Sequence, residues 1–409
     1  MNQPWYKILG PGLLYAGAAI GVSHLVQSTR AGAEFGYGLI WAIVLANILK
    51  YPFFEFGPRY AAATGNSLLS GYKALGSWAL YLFIGLTIIS MFIIQSAVTV
   101  VTAGLASEIF NIAVAPWVMS GILLVICLII LLIGKYSVLD KAMKIIIVTL
   151  SLSTIIALIT AFTGNSQQYE AYMVSFAFSE KSHILFLIAL MGWMPAPLDI
   201  SVWHSLWTTE KTQNKKGSLK AALLDFKIGY WGTLILAICF VLLGAKTIYG
   251  SGIQLESSGG AFAKQLLQIY TDSIGAWAFL IIAVAAFTTM LSTTLTCLDA
   301  SPRVLAECGN LITENNTKEK KQYRFWLLIL VLGTVIILTF FLTNMKALVD
   351  FATTVAFLSS PIIAVLNYLV VTGKTMPNQF KPSKFLKILS WVGISYFIGF
   401  SIYFIVISF

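Results

Sequence analysis

Charge is scarce in this chain, and so are histidine and cysteine. Of its 409 residues only 10% are Asp, Glu, Lys or Arg, against 58% hydrophobic ones, and mean hydropathy reaches +0.86. That balance rules against a soluble globule and fits an all-α polytopic membrane protein. The histidines are His24, His183 and His204, and no HExxH, GxSxG or GxxxxGK[ST] pattern occurs. A zincin, an elbow-type serine hydrolase and a nucleotide-driven pump are thereby excluded. No enzymatic activity and no cofactor are expected. Cys127, Cys239, Cys297 and Cys308 are scattered through mostly apolar runs without disulfide or metal-finger spacing, so free, buried thiols are expected. No short apolar run with a small-residue cleavage site precedes the first long one, so that run is expected to stay in the fold.

Apolar runs of spanning length are abundant. They lie near residues 8–28, 37–57, 78–103, 114–133, 144–163, 184–207, 228–245, 274–299, 325–343, 347–371 and 386–407, which makes 11 transmembrane helices. With the N-terminus cytoplasmic, only Lys181, Lys246, Lys264 and Lys346 fall in outside segments, whereas the clusters Lys211 to Lys220 and Lys318 to Arg324 fall inside. The positive-inside rule therefore predicts a multi-pass cell-membrane protein whose C-terminus, Ser408-Phe409, is outside. The net charge of +10 is explained by this loop asymmetry and by contact with the bilayer, without nucleic acid.

The stretch Leu185 to Trp207 is long enough to cross, yet its middle reads Met191-Gly192-Trp193-Met194-Pro195-Ala196-Pro197. Two prolines remove backbone donors and clash with the preceding turn. This predicts a helix that stops, exposes carbonyls and restarts, since freed backbone at membrane depth must face protein, water or a ligand. The first run carries a similar interruption, Ala16-Gly17-Ala18-Ala19-Ile20-Gly21-Val22-Ser23-His24, followed by Gln27, Ser28, Thr29 and Arg30. Breaks in spans one and six, five spans apart, are the signature of a secondary transporter built from inverted repeats. Within a single transmembrane domain, 1–409, the repeats are expected at 1–163 and 184–371, with 386–407 an additional helix.

Gly10-Pro11-Gly12, Ala31-Gly32-Ala33-Glu34-Phe35-Gly36-Tyr37, Trp41, Asn47, Arg59 and Thr64-Gly65 resemble the start of the NRAMP (natural resistance-associated macrophage protein) divalent-metal transporters. Gly134-Lys135-Tyr136 through Leu139-Asp140-Lys141 is similar to that family's loop between helices four and five, and Met194-Pro195 to its helix-six Met-Pro. The resemblance implies a LeuT-type 5+5 inverted-repeat fold and symport of a divalent cation, usually with protons. It also implies a departure. Where the family's helix one carries Asp-Pro-Gly-Asn, an ungapped match places Gly21-Val22-Ser23-His24. Ala196 stands where the family has His after Met-Pro. Helix three offers Gln95 and Ser96 in place of the family's charged residues.

Mid-membrane polar groups supply the candidates for binding. His24 and Met194 are the metal-ligand candidates, an imidazole and a thioether that suit a Mn- or Fe-type transition metal. Gly21, Met191, Asp199, Gln27 and Thr353 complete the candidate binding set, and His24 can equally be a structural histidine bonding a neighbouring carbonyl. Lys50, Glu55, Gln95 and His204 are candidates for coupling or charge compensation, with Lys50 paired to Glu55 or Asp199 or standing as a fixed cation. The expected function is secondary active transport of a divalent transition-metal cation. The alternative is a LeuT-fold carrier of a small carboxylate or amino acid, favoured by the charge of Lys50. Arg30 with Glu34, and Asp299 with Arg303, are spaced as i, i+4 helix pairs.

Overall fold

The computed structural model describes residues 10–133, 136–163, 173–212, 218–253, 255–256, 259–314, 319–340 and 344–408. Residues 1–9, the loop residues Gly134 and Lys135, the basic residues Lys215, Lys216 and Lys318, and Phe409 lie outside the described residues. The described chain is helical: α1 (Pro11–Ala19), a π-helical turn (Ser23–Ser28), α2 (Thr29–Phe35), α3 (Ile40–Thr64), α4 (Leu68–Leu75), α5 (Ser77–Phe110), α6 (Pro116–Ile133) and α7 (Tyr136–Thr163). Then come α8 (Lys181–Trp193), α9 (Ile200–Lys211), α10 (Leu219–Thr247), α11 (Gly259–Ile274), α12 (Phe279–Thr313), α13 (Glu319–Phe340), α14 (Met345–Thr372) and α15 (Lys384–Ser408). Eight described helices are long and apolar enough to cross a membrane. Spans one and six are each two pieces, α1 with α2 and α8 with α9, and α7 completes the predicted eleven.

Boundaries shift where charges are paired. The apolar run ended span two near residue 57, but α3 continues to Thr64, because Glu55 and Arg59 neutralise one another one turn apart. Likewise α12 passes its predicted end at 299 and runs to Thr313, with Asp299 accepting from Arg303 and from the Tyr323 hydroxyl. Hydropathy stops at a charge; a helix need not. Helix α11 is amphipathic, and the four cysteines are free and buried.

Helices α3, α5, α10 and α12 form the buried centre, whereas α6, α13 and α15 bury little and turn side chains such as Ile129, Leu332 and Ile388 outward. Small residues set the spacing around the broken spans. A Cβ at Gly12 would strike the Asp225 carbonyl, and one at Gly244 the Thr29 carbonyl, so both halves of span one lie flush along α10. A Cβ at Gly57 would strike Ser201 O, and one at Gly192 would strike Thr353 O. Span six is thus held between α3 and α14.

Candidate functional site

Both breaks leave carbonyls without helical partners, and different groups answer them. In span one, α1 ends at Ala19 and Ile20 is extended (φ −77°, ψ 92°). The Thr293 hydroxyl on α12 lies 3.4 Å from Gly17 O and 3.2 Å from Ile20 O. It also lies 3.2 Å from Thr289 O, so one proton serves three acceptors in turn. Gly21 permits this approach, because a Cβ there would sit 2.9 Å from the Thr293 side chain. In span six, α8 ends at Trp193 and Met194 is extended (φ −91°, ψ 123°). Here the fully buried Lys50 ammonium donates to Gly192 O at 2.6 Å and Ala196 O at 3.2 Å.

Glu55 does not pair with Lys50. Its Oε1 receives Arg59 Nε at 2.9 Å, and Arg59 also donates to Phe380 O at 3.0 Å. Asp199, the other candidate partner, is not among the groups that receive a hydrogen bond from Lys50. It sits at the N-cap of α9, yet its Oδ1 is buried without a hydrogen-bond partner among the described residues.

The soft donors are occupied by protein. Met194 Sδ accepts from the Ser28 hydroxyl at 3.9 Å, which ties the π-helical turn to the span-six break. Met191 Sδ accepts from the Tyr396 hydroxyl at 2.9 Å. His24 Nε2 lies 3.0 Å from Thr233 O, and since a carbonyl only accepts, that nitrogen carries hydrogen. Its Nδ1 faces Ser23 Oγ at 2.7 Å. Both ring nitrogens are engaged, with one bond reaching α10. His204 stacks on Tyr15 at 5.7 Å, and neither of its nitrogens has a partner among the described residues. Gln95 donates to Thr99 Oγ1 at 3.1 Å and Thr294 O at 3.3 Å.

Gln27 and Thr353 belong to a different cluster. Gln27 Nε2 donates to Asp350 Oδ1 at 3.0 Å and stands 3.5 Å from Thr353 Oγ1. Arg30 donates to Gln27 Oε1 at 2.9 Å, to Asp350 at 2.6 and 3.3 Å, and to Glu34 at 3.4 Å, while Lys346 reaches Glu34 at 3.3 Å. This lock joins α2 to α14. Beyond it opens a vestibule of about 500 Å³ bordered by Glu34, His183, Phe186 and Lys346.

Between the two breaks lies a cavity of about 30 Å³, walled by Gly21, Ser23, Trp193, Pro197, Thr293 and Cys297. His24 and Met194 are not among its walls. A narrower crevice of about 10 Å³ runs past Pro197 and Asp199, with Thr87, Ser90 and Ser359 alongside. The sequence reading missed Thr293, Cys297 and Trp193. The run Thr288-Thr289 to Ser292-Thr293-Thr294 was the available signal, since hydroxyls that dense in a span seek carbonyls beyond their own helix.

The description "natural resistance-associated macrophage protein-like" fits residues 12–407, almost the whole chain. The chain belongs to the Nramp family. An uncharacterized protein of Pasteurella multocida is 34% identical over 98% of this chain and 92% of its own length. A divalent metal cation transporter of Staphylococcus saprophyticus is 22% identical over 95% of this chain and 89% of its own. Among solved structures, an Eremococcus coleocola manganese transporter superposes with a TM-score of 0.71 at 14% identity, covering 98% of this chain and 87% of that one. MhsT in complex with L-phenylalanine gives 0.68 at 14% identity, over 96% and 98%. These likenesses show the LeuT-type fold with broken helices one and six.

Within this Nramp chain no three His, Cys, Asp or Glu side chains gather among the described residues. A cation between the breaks would therefore rely on backbone carbonyls, a thioether and one carboxylate. Gly192 O and Ala196 O, the Met194 thioether and Asp199 Oδ1 all lie on the span-six break.

Proposed function

We propose that this Nramp chain is a secondary transporter carrying a divalent transition-metal cation of Mn or Fe type across the membrane. The family supplies the class of cargo, and the space between the breaks supports an ion over an organic solute. About 30 Å³ admits roughly two water-sized bodies, whereas a pocket for a small organic ligand runs to about 300 Å³ or more. A thioether beside oxygen donors suits a borderline metal better than Mg or Ca. Met194 and Asp199 carry the side-chain contacts in this reading, with the carbonyls of Gly192 and Ala196; all four belong to the span-six break and do not wall the cavity itself. His24 fixes the span-one restart to α10.

The K/R distribution supports a cytoplasmic N-terminus and an outside C-terminus, which puts the Arg30–Asp350 lock on the outer side of the breaks. Residues 1–163 and 184–371 are then the two inverted repeats, with 386–407 added at the rim. Mn²⁺ uptake into proteoliposomes, followed with an internal fluorescent metal indicator, tests the reading. Saturable uptake that weakens in Met194→Ala and Asp199→Asn is expected. Folded protein that moves neither Mn²⁺ nor any other divalent metal would overturn it.

A further inference from the structure

The ammonium of Lys50 occupies a place a free cation would choose. Its surroundings are two carbonyl oxygens released by the helix-six break, at 2.6 and 3.2 Å, and the same break carries the Asp199 carboxylate, whose Oδ1 has no hydrogen-bond partner among the described residues. Glu55, the other acid on α3, is consumed by Arg59, so Lys50 has no counter-ion on its own helix. An ammonium buried this completely persists only where oxygen atoms replace its water.

We infer that Lys50 is a resident cation: its Nζ fills the oxygen set of the span-six break in the empty carrier and cedes it to the metal. This rests on the metal reading and names the group that sets cargo affinity. An ammonium and a dication cannot share the same oxygens, so each bound metal must displace Nζ, and the flexible four-carbon stem lets it move. Competition of this kind weakens binding but keeps the empty break satisfied, so that the carrier can return without cargo. Lys50 is a specificity-determining residue in this scheme, and it touches the metal's ligands without ligating the metal itself.

The test compares wild type, Lys50→Met and Lys50→Gln. Mn²⁺ affinity is measured by calorimetry on purified protein, beside proteoliposome uptake and a thermal-unfolding check of folding. Removal of the charge is expected to tighten Mn²⁺ binding about ten-fold or more and to slow turnover. Lys50→Gln separates charge from capping, because its amide still donates to a carbonyl. A resident cation predicts that Gln tightens binding as Met does; a merely structural cap predicts that Gln restores wild-type affinity. Mn²⁺ affinity unchanged or weaker in both variants, with wild-type uptake intact, would overturn this inference alone. Absence of divalent-metal uptake by the wild type would overturn the metal reading and, with it, this inference.

Discussion

The two helix breaks solve one problem with opposite chemistry. In span one the freed carbonyls of Gly17 and Ile20 share the neutral hydroxyl of Thr293. In span six those of Gly192 and Ala196 hold a full positive charge on Lys50. A shared hydroxyl is a weak, replaceable cap that leaves the local field unchanged. An ammonium in the same role sets the field of the whole centre and must be moved before a second cation can arrive. The contrast extends to packing. A side chain at Gly21 would press on the Thr293 side chain, whereas one at Gly192 would press on the rigid backbone carbonyl of Thr353.

Packing gives the largest expected effect. Gly192→Ala drives a methyl into a carbonyl of α14 that cannot step aside, so the α8–α14 contact must open. Overpacking of this kind costs about 1–3 kcal/mol, and this site should lie at the top of that range. Gly21→Ala meets the Thr293 side chain instead of backbone and should cost about 1 kcal/mol, the low end of that range. Equilibrium unfolding of both variants in detergent checks the order. Equal losses would show that the two breaks are equally rigid.

Next comes chemistry at the two restarts. Met194→Ala removes the thioether that Ser28 contacts and should lower Mn²⁺ uptake at subsaturating metal at least several-fold. His24→Ala removes the bonds to Ser23 and Thr233 and should cost about 1–2 kcal/mol of stability. Uptake per folded His24→Ala molecule should fall less than in Met194→Ala. The reverse ranking would place the metal on span one.

Much of this was legible in the chain, for local reasons. Pro195, Pro197 and Gly192 announce a broken span six wherever they occur, because proline's missing donor is a property of the residue. The i, i+4 pair Asp299–Arg303 was equally readable, and the Arg30–Glu34 spacing forms, though only as part of a larger cluster. The partners of Lys50, His24 and Thr293 were not. Each bond joins spans far apart in sequence, and the choice among carbonyls depends on how α3, α10 and α12 are rotated and slid against the breaks. Apolar periodicity on such uniformly hydrophobic helices fixes neither. The pairing of Lys50 with Glu55 was plausible at five residues' separation, but Arg59, four residues past Glu55 on the same face, takes that carboxylate.

A more conservative change sharpens the comparison of caps. Thr293→Val keeps the shape and removes the donor shared by Gly17, Ile20 and Thr289. Loss of one neutral hydrogen bond costs about 1 kcal/mol. Because no charge changes, Mn²⁺ affinity should stay within about two-fold of wild type. A large affinity change would mean that the hydroxyl itself meets the cargo in the cavity it borders.

The smallest effect belongs to the lock between α2 and α14. Asp350→Asn removes the carboxylate that receives two Arg30 bonds, but Arg30 keeps Gln27 and Glu34 as acceptors and stays 4.8 Å over the Phe186 ring. Asp350 is also 34% exposed, so solvent already screens the pair, and the loss should not exceed about 1 kcal/mol. What should change is access. A cysteine introduced at Ser28, the residue that contacts Met194, should react faster with a membrane-impermeant thiol reagent from the vestibule side in the Asp350→Asn background. Unchanged labelling would mean that the glycine-spaced packing of α2 on α10, and not the ion pair, holds the outer path shut.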